Sequence, residues 1–174
     1  FPTRRSSDLS FPALALGQEK GEPDIMRQKP RGIKEPIMNR LMLSTILIQS
    51  LAIFGSVFAA FEFGMHFYPG QGEASSGART FAFATLILAE LLRSYSARSE
   101  KHPVRRLGLF SNHTLNKAVG LSGLLLLLAV YIPFLNPVFS PIPLTLVDWL
   151  VIIPLAFIPY AIAEIGKWLM GRKG

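Results

Sequence analysis

Long apolar blocks, above all Leu41–Phe61 and Leu115–Phe134, limit what this chain can fold into more than any other feature. A soluble domain of 174 residues would interleave its apolar residues with polar ones at the helix or strand period. Here half of the residues are hydrophobic, and they come in runs comparable to the roughly 20 residues that carry a helix across a bilayer. The expected fold class is therefore an all-α membrane protein, a four-helix transmembrane bundle. Its spans are expected at about Leu41–Phe67, Ala78–Ala97, Thr114–Phe134 and Thr145–Met170.

Most of the charge falls between the blocks. Residues 18–40 include Arg27, Lys29, Arg31, Lys34 and Arg40, and residues 98–113 hold Arg98, Lys101, Arg105 and Arg106. Residues 68–77 and 135–144 hold no Lys or Arg, and the C-terminal tail is basic again. Positive loops stay inside. The expectation is thus a multi-pass protein of the cell membrane with loops 18–40 and 98–113 and the C-terminus cytoplasmic. Membrane topology accounts for the net charge of +7, so nucleic acid is not an expected partner; the lipid bilayer is. With no cysteine there is no disulfide, thiolate metal site or cysteine nucleophile. Trp149 and Trp168 stand near opposite ends of the last span, as interfacial anchors do, and Pro154 and Pro159 are expected to kink it unless neighbours satisfy the freed carbonyls. Asn112-His113-Thr114 matches a glycosylation sequon but falls in a cytoplasmic loop and reads as a chance match.

The chemistry is concentrated in Thr80–Tyr95, TFAFATLILAELLRSY, where Glu90 interrupts an apolar run. A carboxylate at a span centre costs roughly 2.5–3.5 kcal/mol on insertion scales, and acids kept there face a partner, a cavity or an ion path. If the span ends near Ala97, Glu90 lies about seven residues in, roughly 10 Å from the edge. Ala78, Ala82, Thr85 and Ala89 form a small-residue face beside it, suited to close helix approach. Two readings stay open on these residues alone. Glu90 gives oxygen to a cation or proton site between helices, or it pairs with Arg93 and fixes packing. Gln49 and Glu164, further polar groups within spans, read as capping, packing or interfacial residues.

The start of the chain stands apart. Phe1–Leu9, FPTRRSSDL, is what a common sequencing-adapter oligonucleotide encodes, so residues 1–9 are expected to be a disordered artefact. Residues 10–17, SFPALALG, are too short to cross a bilayer and read as the end of a truncated transmembrane helix. Residues 18–40 read as a cytoplasmic loop and 41–174 as the four-span domain.

PALALG at Pro12–Gly17, PDIMRQKPR at Pro23–Arg31 and Glu35-Pro36 resemble the end of the sixth transmembrane helix and the following loop of P-type cation-transporting ATPases, in the calcium-pump branch. AELLRSYSARSE at Ala89–Glu100 is similar to that family's eighth helix. PLTLVDWLVIIPL at Pro143–Leu155, with AEIGKW at Ala163–Trp168, is similar to its last helix. The four spans would then be helices seven to ten.

The resemblance implies the C-terminal membrane domain of an ATP-driven cation pump, with Ca²⁺ as the transported ion. A glutamate at the place of Glu90 helps ligate one of two calcium ions in the two-site pumps, so Glu90 is the candidate metal ligand. The family's DKTG phosphorylation motif is not in this sequence. ATP and Mg²⁺ would act only through domains absent here, so the chain itself is assigned no catalytic or cofactor-binding residue. Its further partners would be the missing N-terminal helices and cytoplasmic domains of the same protein. The seam those helices would cover is expected to leave both Glu90 and the small-residue face exposed. The alternatives are a pump of the same superfamily for Na⁺, K⁺ or H⁺, and a stand-alone multi-pass scaffold or regulatory protein without transport.

Overall fold

The computed structural model describes residues 11–17, 40–69, 76–99, 103–132 and 142–171. Residues 1–9 and most of 18–40, to which the artefact and the loop were assigned, lie outside the described residues. Six helices are described: α1 (Phe11–Leu16), α2 (Arg40–Phe67), α3 (Ser76–Ser96), α4 (Val104–Leu107), α5 (His113–Tyr131) and α6 (Leu146–Gly171). There is no strand among the described residues.

Among the described residues three helices, over Met42–Phe67, His113–Tyr131 and Leu146–Leu169, are long and apolar enough to cross a membrane. The fourth expected span, α3, has the length, since its 21 residues rise about 31 Å. Its composition falls short, because Arg79, Glu90, Arg93 and a series of Ala, Ser and Thr residues dilute it. The reason is its place. α3 is the central helix: α2 and α6 pack most extensively on it, and α5 and α1 also touch it. A helix surrounded by other helices gains more from small residues that let backbones close up than from bulk offered to lipid.

The α2–α3 contact shows this at atomic scale. A Cβ on Gly64 would stand 2.5 Å from the Ala78 Cα and 3.1 Å from the Gly77 carbonyl oxygen, so this position excludes any side chain. A Cβ on Gly77 would overlap the side chain of Tyr68. Below this crossing the main core gathers Ala60, Phe81, Ala84, Leu126, Val130, Leu144 and Ile152 from α2, α3, α5 and the α6 region. A smaller core joins Ala15 of α1 to Leu115 and Ala118 of α5, with Tyr95 of α3 packed against them. The PALALG segment is therefore a short helix docked at one end of the bundle.

α6 continues helical through both Pro154 and Pro159. Each ring removes one amide donor, leaving the carbonyls of Leu150 and Leu155 without their usual partners. Thr145 starts the helix: its N–H and hydroxyl both donate to Asp148 Oδ2, at 2.6 and 2.9 Å, and the Asp148 N–H reaches back to Thr145 Oγ1 at 3.4 Å. This reciprocal cap satisfies amides that the first helical turn cannot.

Candidate functional site

Glu90 lies on the open side of α3. Its side chain is 49% exposed, and Oε1 accepts from Arg93 Nη1 at 3.4 Å, one turn further along the helix. Together with Leu86, these two residues line one wall of a shallow groove; Ser50, Ile53, Phe54 and Val57 of α2 line the other. The groove is mostly apolar with its charge at one end. Such a surface can hold a carboxylate ready for a cation while Arg93 balances it, but it offers few further oxygens. No cluster of three or more His, Cys, Asp or Glu residues that could hold a metal ion occurs among the described residues.

The small-residue face behaves differently from expectation. Ala78, Thr85 and Ala89 are fully buried, and Ala82 is half-buried. The face meets other helices of this bundle, as the Gly64–Ala78 approach requires, and is not left open beside Glu90. Only the Glu90 strip of α3 stays open. Thr85 on α3 and Ser56 on α2 are buried hydroxyls without a hydrogen-bond partner among the described residues.

Glu164 is neither a free acid nor close to Glu90 in its bonding. Its Oε1 accepts from Ser96 Oγ at 2.9 Å, and its Oε2 from the Val104 N–H at 2.8 Å. Lys167, one turn on, donates to Glu164 Oε1 at 3.1 Å, to Ser96 Oγ at 2.9 Å and to the Ser96 carbonyl. This knot ties the end of α3 to α6 and to the start of α4. Sequence reasoning named Glu164 as a cap or packing residue but did not foresee its companions. The only local signal was Lys167 one helical turn after Glu164.

Arg98 completes the same end. Its guanidinium donates to the Gly108 carbonyl at 2.7 Å and to Ser111 Oγ at 2.6 Å, closing the connection from α3 to α5. Asn112 caps α5, accepting from the Leu115 N–H at 2.9 Å, and its Nδ2 faces the Ala15 carbonyl at 3.5 Å. The sequon asparagine is thus buried and engaged as a helix cap, a role its position three residues before Leu115 could have revealed.

At the opposite end, Tyr68 donates its hydroxyl proton to Asp148 Oδ2 at 2.9 Å. Burial, and then the hydrogen bond to the Asp148 carboxylate, raise the Tyr68 phenol above its ordinary value. Trp149 donates to the Tyr131 hydroxyl at 2.8 Å, which itself donates to the Leu144 carbonyl at 2.8 Å. Trp149 is thereby held at this end, while Trp168 at the other end is half-exposed. His66 packs its ring edge against Phe67, and His113 is exposed at the start of α5.

Comparison with known proteins gives these helices their context. The family described as cation transporting ATPase, C-terminus, matches residues 9–169. A calcium-transporting ATPase of Bacillus subtilis is 36% identical over 149 residues, covering 86% of this chain and 16% of its own length. Calcium-transporting ATPase 1 of Lactococcus lactis is 36% identical over 167 residues, covering 93% of this chain and 18% of its own. A calcium-transporting ATPase of Listeria monocytogenes is 35% identical over 164 residues, covering 94% and 18%. The chain spans less than one-fifth of the length of these relatives. An α-helical membrane bundle packed around one small-residue helix, and matched to that family from the docked PALALG helix through α6, belongs to the C-terminal region of the cation-transporting ATPases.

Proposed function

We propose that this chain is the C-terminal membrane portion of an ATP-driven calcium pump, and that Glu90 supplies oxygen to a Ca²⁺ site completed by helices outside this chain. The observation that carries the reading is the contrast along α3. The helix is packed on its other sides, yet its one intramembrane acid faces outward with a half-exposed carboxylate. An acid at that depth is costly to leave facing lipid. A hard cation wants several carboxylate, carbonyl and amide oxygens together, and one carboxylate is a fraction of such a set. Arg93 neutralises the carboxylate while the site is empty, and its long stem lets the guanidinium withdraw towards water when the ion arrives. The names of the relatives support Ca²⁺ as the ion.

In this reading the chain does no chemistry on ATP. Nucleotide, Mg²⁺ and the phosphorylated aspartate belong to cytoplasmic domains of the parent protein, and the bundle is the support against which the ion-carrying helices move. Loops 18–40 and 98–113 and the C-terminus face the cytoplasm of a cell membrane, following the distribution of Lys and Arg.

The test is ATP-dependent ⁴⁵Ca²⁺ uptake into vesicles carrying the complete protein, with Glu90 intact and as Glu90→Gln. Loss of one carboxylate charge should weaken apparent Ca²⁺ affinity by about tenfold or lower the number of ions moved per ATP. Uptake with unchanged affinity and stoichiometry would make Glu90 a packing residue. Uptake of Na⁺, K⁺ or H⁺ in place of Ca²⁺ would reassign the ion. An upstream reading frame without a DKTG motif would remove the pump reading altogether.

A further inference from the structure

We propose that the turn from Val104 to Phe110 is a preformed anchor for anionic phospholipid, with Arg105 and Arg106 taking lipid phosphates and Leu109 and Phe110 entering the boundary between headgroups and acyl chains. Elsewhere in the molecule, most large exposed apolar side chains lie on the helices that cross the membrane, where lipid accounts for them. Leu109 and Phe110 lie outside those spans, yet they are 50% and 78% exposed. They sit between the end of α3 at Ser96 and the start of α5 at His113, which places them at the membrane edge.

Charge complementarity points to the occupant. Residues 101–117 contain Lys101, Arg105, Arg106 and Lys117 and no Asp or Glu. Arg105 and Arg106 are exposed, and neither guanidinium has a hydrogen-bond or ion-pair partner among the described residues. Guanidinium forks match phosphate oxygens, and basic groups at a membrane surface are drawn to anionic lipid. Exposed apolar side chains close by in the same turn give the amphipathic character that interfacial anchors share.

The turn is also held in shape. Gly108 has φ of 80°, a conformation that glycine adopts without strain, and its N–H bonds the Val104 carbonyl at 2.9 Å. Arg98 grips the Gly108 carbonyl from below, and Glu164 holds the Val104 N–H. A turn fixed by contacts within the protein loses little freedom when it meets the membrane.

The chain has no cysteine, so a nitroxide can be attached through Phe110→Cys, and separately through Leu109→Cys, without removing any native thiol. Each labelled protein is placed in nanodiscs of phosphatidylcholine, alone or mixed with phosphatidylglycerol. Collision of the label with a water-soluble nickel chelate and with oxygen is then measured. With phosphatidylglycerol present, nickel collision should fall several-fold and oxygen collision should rise. Arg105→Gln with Arg106→Gln should abolish that response, and Arg105→Lys with Arg106→Lys should keep most of it, which separates lost charge from lost folding. Labels equally open to nickel in both lipids would overturn the proposal. So would a response that survives the double Gln change. Labels equally shielded from nickel in both lipids would also overturn it, since the cover would then not depend on anionic phosphate.

Discussion

Glu164 Oε2 stands 2.8 Å from the backbone nitrogen of Val104, a residue sixty positions earlier in the chain. With Ser96 and Lys167 on the other oxygen, one carboxylate joins three separate segments. Breaking a largely buried charged pair from one side leaves the other charge uncompensated, at a typical cost of about 3–5 kcal/mol. Because Glu164 keeps some exposure, the lower end of that range applies. Glu164→Ala should lower the thermal midpoint of the detergent-solubilised chain clearly, and Glu164→Gln with Lys167→Met should recover much of the loss. A single Glu164→Ala variant as stable as the parent would mean that the knot adds nothing.

Gly64 faces the backbone of Ala78 with no room for a side chain. Gly64→Ala should destabilise by about 1–3 kcal/mol, the usual cost of forcing atoms into a packed contact, and Gly64→Val by more. Gly55, on the same helix, has open space around its Cβ position, so Gly55→Ala should leave stability nearly unchanged. Equal midpoints for the Gly64 and Gly55 variants would contradict the close approach of α2 and α3.

Thr85 buries its hydroxyl without a partner among the described residues. Thr85→Val keeps the shape and removes the group whose desolvation goes uncompensated. The variant should be neutral or more stable by about 1 kcal/mol. A loss of stability in a denaturation series would show that the hydroxyl is engaged.

Asn112 caps α5 through the Leu115 amide. Asn112→Ala should cost about 1 kcal/mol and Asn112→Ser much less, since serine also caps. Hydrogen exchange at the Leu115 amide should quicken in the alanine variant alone among the two. Unchanged exchange would remove Asn112 from the cap.

Tyr68 donates to Asp148 only while its phenol is protonated. Burial and the bond to Asp148 raise it in the fold above the ordinary phenol value, so the stabilisation is complete below that ordinary value and is lost as pH climbs through the raised one. Stability of the intact chain should therefore fall on the alkaline side more steeply than that of Tyr68→Phe. Parallel alkaline profiles for the two proteins would rule this out.

Helix positions were legible in the sequence because span length and loop charge are local signals. α2 begins at Arg40 and ends at Phe67, within one residue of expectation at each end, and α6 runs within one residue of its expected limits. The PALALG segment is helical over Phe11–Leu16. The central place of α3 was not, because composition records that Ala78, Thr85 and Ala89 are small but not which neighbours they touch. Nor did the sequence show Tyr68 with Asp148, or Ser96 with Glu164 and Lys167. Those partners are 80, 68 and 71 positions apart and leave no periodic trace. Glu90 itself was conspicuous as a lone acid and was expected to stay open, while the burial of the small-residue face beside it depended on packing that only the assembled helices define.

Polar ties join α3 and the α6 region at both extremities. Thr80 Oγ1 accepts from the Ile142 N–H at 3.1 Å at one extremity, and Ser96 meets Glu164 and Lys167 at the other. Between them lie apolar contacts and the two prolines of α6. The pair is a beam clamped at both supports. Sliding one helix past the other by a single residue, about 1.5 Å, would strain both clamps at once. Bowing at mid-span, where Pro154 and Pro159 have already removed two amide donors, strains neither. Force applied to this pair is therefore taken up as flexure and not as shear.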